Sequence, residues 1–218
     1  MSAYKYKTVI FDMDGTVLNT VTDLMIALNH ALTLNGMPTR TEAEVKSFLG
    51  NGMKYYMERA VAPGSTEAEI EAVTRAFGEY YMAHCNDNTR PFDGIPELMT
   101  RLHNDGLRLA IVSNKPDKAA VALNELFFKD FTDLTMGERE GLKRKPAPDM
   151  VWEALRILDS KKEEAVYIGD SEVDYETAKN AGLPCILVRW GFRTPETLKA
   201  LGATMIAESP EDILKFLK

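Results

Sequence analysis

The chain is poor in the residues that soft metal sites and disulfide frameworks need. Its 218 residues include three histidines and two cysteines. His30, His84 and His103 fall within helical stretches, where they read as structural. Cys85 and Cys185 stand far apart with no partner residues around them, which excludes a metal or disulfide role and leaves two reduced, buried thiols. Neither begins the Cys-x5-Arg loop of a cysteine phosphatase. Cations are also in the minority, 26 Lys and Arg against 33 Asp and Glu, for a formal net charge of −7. Without a general basic field, binding to nucleic acid or to an anionic membrane through bulk electrostatics is excluded, and any anionic substrate must be attracted locally. No apolar run approaches the roughly 20 residues that span a bilayer. The polar start "MSAYKYKT" lacks the apolar core of a signal peptide, so a cytoplasmic protein is expected. There are no repeats and no low-complexity tracts.

What is present is an ordinary globular composition, 45% hydrophobic, enough for one large domain or a domain with a smaller insert. Apolar runs that read as strands buried on both faces start at Lys7 ("KTVIFDM"), Leu107 ("LRLAIVSN"), Glu164 ("EAVYIGD"), Pro184 ("PCILVRW") and Ala203 ("ATMIA"). A short one is expected at "FTDL" from Phe131. Helical patterns such as "APDMVWEALRIL", "DYETAKNAG" with terminal Gly182, and "SPEDILKFLK" opened by Ser209 and Pro210 alternate with them. The alternation predicts an α/β fold with a doubly wound parallel sheet. One segment breaks it. From about Asn19 to Thr89 nearly everything reads as helix, including two capping boxes, Thr41 to Glu44 and Thr66 to Glu69, and a face carrying Ile70, Val73, Phe77 and Tyr81. The expected division is a core of residues 1–18 and 90–218 with an α-helical insert at 19–89.

The first strand ends in "DMDGT", which places Asp12 and Asp14 together at its carboxyl end. Ligands of open parallel sheets bind outside those ends, so the segments behind the other strands should complement the two aspartates. "SNK" supplies Ser113 and Asn114 at a helix mouth suited to an anion, "KRKPAPD" supplies Lys145, and "GDSEVD" supplies Asp170 and Asp174. Four carboxylates around one hydroxyl and one ammonium call for a cation. Oxygen ligands without histidine specify a hard ion, and Mg²⁺ fits better than Zn²⁺ or Ca²⁺ because water must complete so small a set. A carboxylate beside Mg²⁺ and an anion site suits phosphoryl transfer through an aspartyl-phosphate.

In these motifs, their order and their placement behind strands, the chain resembles the haloacid dehalogenase superfamily of phosphohydrolases, and in particular its phosphoglycolate phosphatase-like branch, over nearly its whole length. The resemblance implies a Rossmann-like core with a mobile α-helical cap and a small phosphorylated metabolite as substrate. It implies that Asp12 is the nucleophile and that Asp14 is the general acid and base, which also offers its backbone carbonyl to Mg²⁺. Thr16 belongs to the same loop on the phosphate side, Ser113 and Lys145 hold the phosphoryl oxygens, and Asp170 and Asp174 complete the metal site. Asp14 favours a phosphatase or phosphomutase, since breaking a phosphate ester requires a proton for the leaving alkoxide. "LGNGMKYYMERAV" resembles the branch's substrate-specificity loop: Gly50 and Gly52 would let its tip approach the site, and Lys54 and Arg59 would meet a substrate carboxylate or be a solvated helix face. Asn19 departs from the branch, where Asp is frequent. A β-phosphoglucomutase-like phosphotransferase and a non-catalytic phosphate-binding relative remain alternatives. A monomer or weak homodimer is expected, with joints near Val17–Thr20 and Thr89–Phe92.

Overall fold

Four residues with no exposed side chain, Thr8–Phe11, form the strand on which the molecule is organised. The computed structural model describes residues 4–218. In chain order the elements begin with β1 (Thr8–Phe11), β2 (Leu18–Asn19), α1 (Val21–Leu34), α2 (Glu42–Phe48), α3 (Gly52–Ala60), α4 (Glu67–His84) and β3 (Arg90–Pro91). They continue with α5 (Ile95–Asn104), β4 (Arg108–Pro116), α6 (Asp117–Phe127), β5 (Leu134–Glu138) and α7 (Asp149–Ile157). The chain closes with β6 (Ala165–Gly169), α8 (Glu172–Ala181), β7 (Cys185–Val188), α9 (Pro195–Ala200), β8 (Ile206–Ala207) and α10 (Pro210–Leu217).

Six strands make one parallel sheet in the order β5-β4-β1-β6-β7-β8, with β1 between β4 and β6. Packing covers both faces: Phe11, Leu109, Ile111 and Ile168 belong to one apolar cluster, and Ile10, Ala110, Val112 and Tyr167 to the other. This double burial explains why the strands carry continuous rather than alternating apolar runs. Among the described residues no helix is long and apolar enough to cross a membrane.

Helices α1 to α4 lie between β2 and β3, which pair antiparallel as a two-stranded ribbon, Leu18 opposite Pro91 and Asn19 opposite Arg90. Asp23, in the first turn of α1, ties the two crossings together. Its buried carboxylate accepts from the Asn88 and Thr89 backbone N–H groups, from Asn88 Nδ2 at 2.8 Å and from Thr89 Oγ1 at 2.7 Å. Both expected capping boxes are formed. Val73, Phe77 and Tyr81 of α4 are buried, with α4 packed along α1, while Ile70 lies at the rim. His30 and His84 stack on Tyr80, a structural role, and Cys85 and Cys185 are buried free thiols.

Some boundaries differ from expectation. The strand expected at Phe131–Leu134 starts only at Leu134, because the Phe131 and Thr132 N–H groups turn back onto the Phe128 carbonyl after α6. The last strand shrinks to Ile206–Ala207. "GMKYYMERA" is a helix, α3, not a loop, and the loop proper is confined to residues around Gly50 and Asn51. Ser209 precedes α10 without capping it through its side chain, so Pro210 at the first helical turn provides the start.

Candidate active site

The loop after β1 is a tight turn around one carbonyl: Met13 O accepts from the N–H groups of Thr16, Val17 and Leu18. Gly15 sits in it at φ +87°, where a Cβ would lie 2.8 Å from the Asp170 carboxyl carbon and 3.0 Å from the Phe192 ring. Only glycine serves there. The turn holds Asp12 over the sheet, with its N–H donating to Ile168 O at 2.8 Å, and turns Asp14 toward β4.

Lys145 is the hub of the site. Its Nζ lies 2.7 Å from Asp12 Oδ1, 2.8 Å from Asp174 Oδ1 and 3.0 Å from the Tyr167 hydroxyl. The main chain at Lys145 is fixed by Asn114, whose Oδ1 accepts from Lys145 N while its Nδ2 donates to Lys145 O and to Gly50 O. Asn114 therefore does not stand ready for an anion, as its sequence position suggested. Its amide braces the lysine loop and the insert. Thr16 also departs from its expected phosphate role. It is fully buried and its Oγ1 makes no hydrogen bond, while its backbone is engaged by Met13 O and Trp190 Nε1. Ser113, buried at the end of β4, does line the cavity.

Asp174 Oδ2 accepts from Ser171 Oγ at 2.6 Å and from the N–H groups of Ser171 and Asp170. Ser171 thus caps α8 while it orients the carboxylate. Asp170 Oδ2 accepts from Phe192 N at 2.6 Å. One oxygen each of Asp12, Asp170 and Asp174 falls within 4.8 Å of the others. The Asp14 side chain stays outside this cluster because Lys115 Nζ holds it, at 2.9 and 3.1 Å.

The electrostatics follow from burial. Loss of solvent and the Asp174 charge push Asp12 up to about 7 against the pull of Lys145. Burial, Asp174 and Asp12 push Asp170 well above the usual carboxylate range. Burial also acts on Asp174, but Lys145, the Ser171 hydroxyl and the Asp170 N–H outweigh it and hold this carboxyl below its ordinary value. Against burial, Asp12 and Asp174 raise Lys145 well above an ordinary lysine. Four carboxylates thus face two ammonium groups, Lys115 and Lys145, leaving two negative charges uncompensated. A buried, oxygen-only donor set with that deficit fits a hard divalent cation held by Asp12, Asp170 and Asp174.

Lys54 and Arg59 do not reach this cavity. Lys54 is 76% exposed and lies 3.8 Å from Glu58 one turn on, and Arg59 sits over the Tyr55 ring. Their helix, α3, faces the cavity with Gly52, Met53 and Tyr56 instead, so the solvated-face alternative describes both cations. Asn19 is exposed on the ribbon, away from the site. Two residues the sequence pattern did not single out do line the cavity, Lys115 and Arg193. Lys115 follows Ser113 and Asn114 directly, and a lysine inside a buried strand end was its available signal. Arg193 bridges core and insert, pairing with Glu172 and donating to Lys46 O and to Leu49 O, the latter at 2.7 Å. Nothing in its local sequence marks that role.

Together these features define an α/β protein that sets a lysine-paired carboxylate within a buried aspartate cluster at the mouth of a parallel sheet. The chain belongs to the haloacid dehalogenase-like hydrolases, whose family model matches residues 9–188. The N-acetylmuramic acid 6-phosphate phosphatase of Pseudomonas aeruginosa is 29% identical to it over 219 residues, covering 100% of this chain and 97% of that protein. The phosphoglycolate phosphatase of Mesorhizobium japonicum is 32% identical over 189 residues, 84% of this chain and 83% of its own. Among solved structures, one from Lactobacillus delbrueckii subsp. bulgaricus, provisionally described as a phosphoglycolate phosphatase, superposes with a TM-score of 0.93 at 37% identity, covering 98% of each chain. CbbY from Rhodobacter sphaeroides, solved in complex with phosphate, gives 0.80 at 26% identity over 97% of this chain and 99% of its own.

Proposed function

We propose that the protein is a Mg²⁺-dependent phosphatase that hydrolyses a small, phosphoglycolate-like phosphate monoester through an aspartyl-phosphate on Asp12. The observation that carries this reading is the Lys145 ammonium on Asp12 Oδ1 at 2.7 Å, with Ser113 on the adjacent strand end and Asp170 and Asp174 alongside. A bound Mg²⁺, held by Asp12, Asp170 and Asp174, would neutralise charge on the phosphoryl oxygens. A carboxylate oxygen of Asp12 attacks phosphorus while the bond to the ester oxygen breaks, and that oxygen takes a proton from the Asp14 carboxyl. Water then attacks the phosphorus of the acyl phosphate, giving its proton to the Asp14 carboxylate, and inorganic phosphate leaves as Asp12 is restored. Ser113 and Lys145 hold the phosphoryl oxygens through both steps. Residues 19–89 act as a cap that excludes bulk water, hinged at the β2–β3 ribbon.

The test is phosphate release from a panel of small esters with Mg²⁺ and with chelator. Product analysis separates the phosphotransferase alternative, because a mutase returns the phosphoryl group to a second substrate hydroxyl instead of releasing it. No turnover of any ester with Mg²⁺ present would favour the non-catalytic phosphate-binding alternative.

A further inference from the structure

The amide of Asn114 makes three hydrogen bonds, and its partners belong to two different parts of the molecule. Oδ1 accepts from Lys145 N at 2.8 Å, while Nδ2 donates to Lys145 O at 2.9 Å and to Gly50 O at 2.9 Å. Lys145 carries the ammonium that sits on Asp12, whereas Gly50 lies at the tip of the insert's loop between α2 and α3. A primary amide has two N–H groups, so one is committed to the lysine loop and the other to the insert.

The two loops also touch directly. Gly52 has φ +81°, and a Cβ there would stand 3.2 Å from the side chain of Arg144, the residue before Lys145. Gly50, at φ +107°, would bring a Cβ within 3.5 Å of Arg193 and 3.6 Å of Val173. The insert's loop therefore lies on the core with its backbone, and the lysine loop is part of the surface beneath it. Asn114 is only 7% exposed. Hydrogen bonds are stronger where water is kept out, and water competes for them once it enters. Lifting the loop takes Gly50 O away from Nδ2 and lets water compete for both bonds to Lys145.

We propose that Asn114 is a positioning residue that makes the placement of Lys145 on Asp12 depend on the docking of the insert's loop. On the phosphatase reading, on which this inference rests for the role of Lys145, the lysine is then fully held only when the insert covers the site and excludes bulk water. The device needs no side chain from the insert. Its acceptor is a main-chain carbonyl, so the coupling is independent of the residues with which the insert lines the cavity. Such coupling is reciprocal: an anion that fixes Lys145 from the substrate side also steadies the loop around Gly50.

The experiment follows hydrogen exchange in the full chain at residues 46–53 and 143–147, with the amides of β1 as the internal reference. Asn114→Ala should speed exchange in both segments together, by about 3- to 10-fold, and leave β1 unchanged. Acceleration in one segment while the other keeps wild-type exchange overturns the proposal. This comparison uses neither ligand nor turnover, so it stands even where the phosphatase reading fails. With Mg²⁺ present, saturating inorganic phosphate should slow exchange at residues 46–53 in wild type and not in Asn114→Ala. An amide that only braced the fold would not produce that difference, and equal slowing in both proteins overturns the coupling. In steady-state kinetics, Asn114→Ala should lower kcat about 10- to 100-fold with a smaller change in KM. A kcat within twofold of wild type overturns the positioning role, whereas a wild type that turns over no ester removes the phosphatase reading and leaves the exchange result to decide the coupling. Should Asn114→Ala not fold, Asn114→Asp replaces it in every comparison with the same expected outcomes, since it keeps the acceptor for Lys145 N and removes the donor to Gly50 O.

Discussion

The Lys145 ammonium lies 2.7 Å from the Asp12 carboxylate although the two residues are 133 positions apart in the chain. The fold brings them together by placing β1 at the centre of the sheet and fixing the lysine loop through Asn114. Asp12→Asn keeps the shape but removes the nucleophile, so kcat should fall by at least about 10³-fold with an unchanged circular dichroism spectrum. Activity within tenfold of wild type would move the nucleophile elsewhere.

The uncompensated carboxylates should make the metal-free protein sensitive to pH. Burial and Asp174 raise Asp12 from the ordinary 3.8 to about 7, and Asp170 is also raised. The folded chain therefore keeps protons that the unfolded chain has lost. This stabilisation is complete below about pH 4 and is lost as pH climbs to about 7. In chelator, the melting temperature should drop by at least about 3 °C between pH 5 and pH 8, and saturating Mg²⁺ should flatten the slope because it binds the ionised form. A melting temperature that rises over this range in chelator contradicts the assignment.

Arg193 is a latch. From the loop after β7 it holds the carbonyls of Lys46 and Leu49 at the end of α2, with Glu172 orienting its guanidinium. Arg193→Ala should cost about 1–2 kcal/mol, raise KM, and speed hydrogen exchange in residues 46–53 without affecting the sheet. Unchanged exchange in that segment would show that other contacts keep the insert docked.

Gly191 has no room for a side chain. A Cβ there would stand 2.5 Å from Asp170 Oδ2 and 2.6 Å from Gly15 O, so Gly191→Ala must displace the carboxylate or the loop. A loss of about 1–3 kcal/mol from overpacking is expected, together with weaker Mg²⁺ affinity measured by titration calorimetry. Wild-type affinity would mean that Asp170 contributes nothing to the cation site.

The strand runs and the acidic motifs were legible because burial on both faces leaves a continuous apolar record and because carboxylates behind a strand end are conspicuous. The two capping boxes were legible for a similar reason, since their chemistry is local and spans three residues. Roles that depend on contacts distant in sequence were not. Thr16 looks like a loop hydroxyl yet is folded beneath the loop, and Asn114 looks like an anion ligand yet has its amide filled by the backbone of Lys145 and Gly50. Lys54 and Arg59 carry the right charge on the wrong face of α3. Lys115 acquires Asp14 only when β4 lies beside β1, and Arg193 acquires the Lys46 and Leu49 carbonyls only when the β7 loop meets the insert, tertiary events that no spacing rule encodes.

The knot at Asp23 gathers both chain crossings of the insert into one place. Because its carboxylate gathers Asn88 and Thr89 onto the first turn of α1, the outgoing and returning chains leave the core side by side, and the parallel sheet is not interrupted by whatever lies between them. Residues 19–89 are in this sense a cassette. A different run of helices spliced between Asp23 and Asn88 would keep the knot and leave the aspartates and Lys145 of the core in place, so on the phosphatase reading the range of substrates would change by exchange of one contiguous segment while the register of β1 stays as it is.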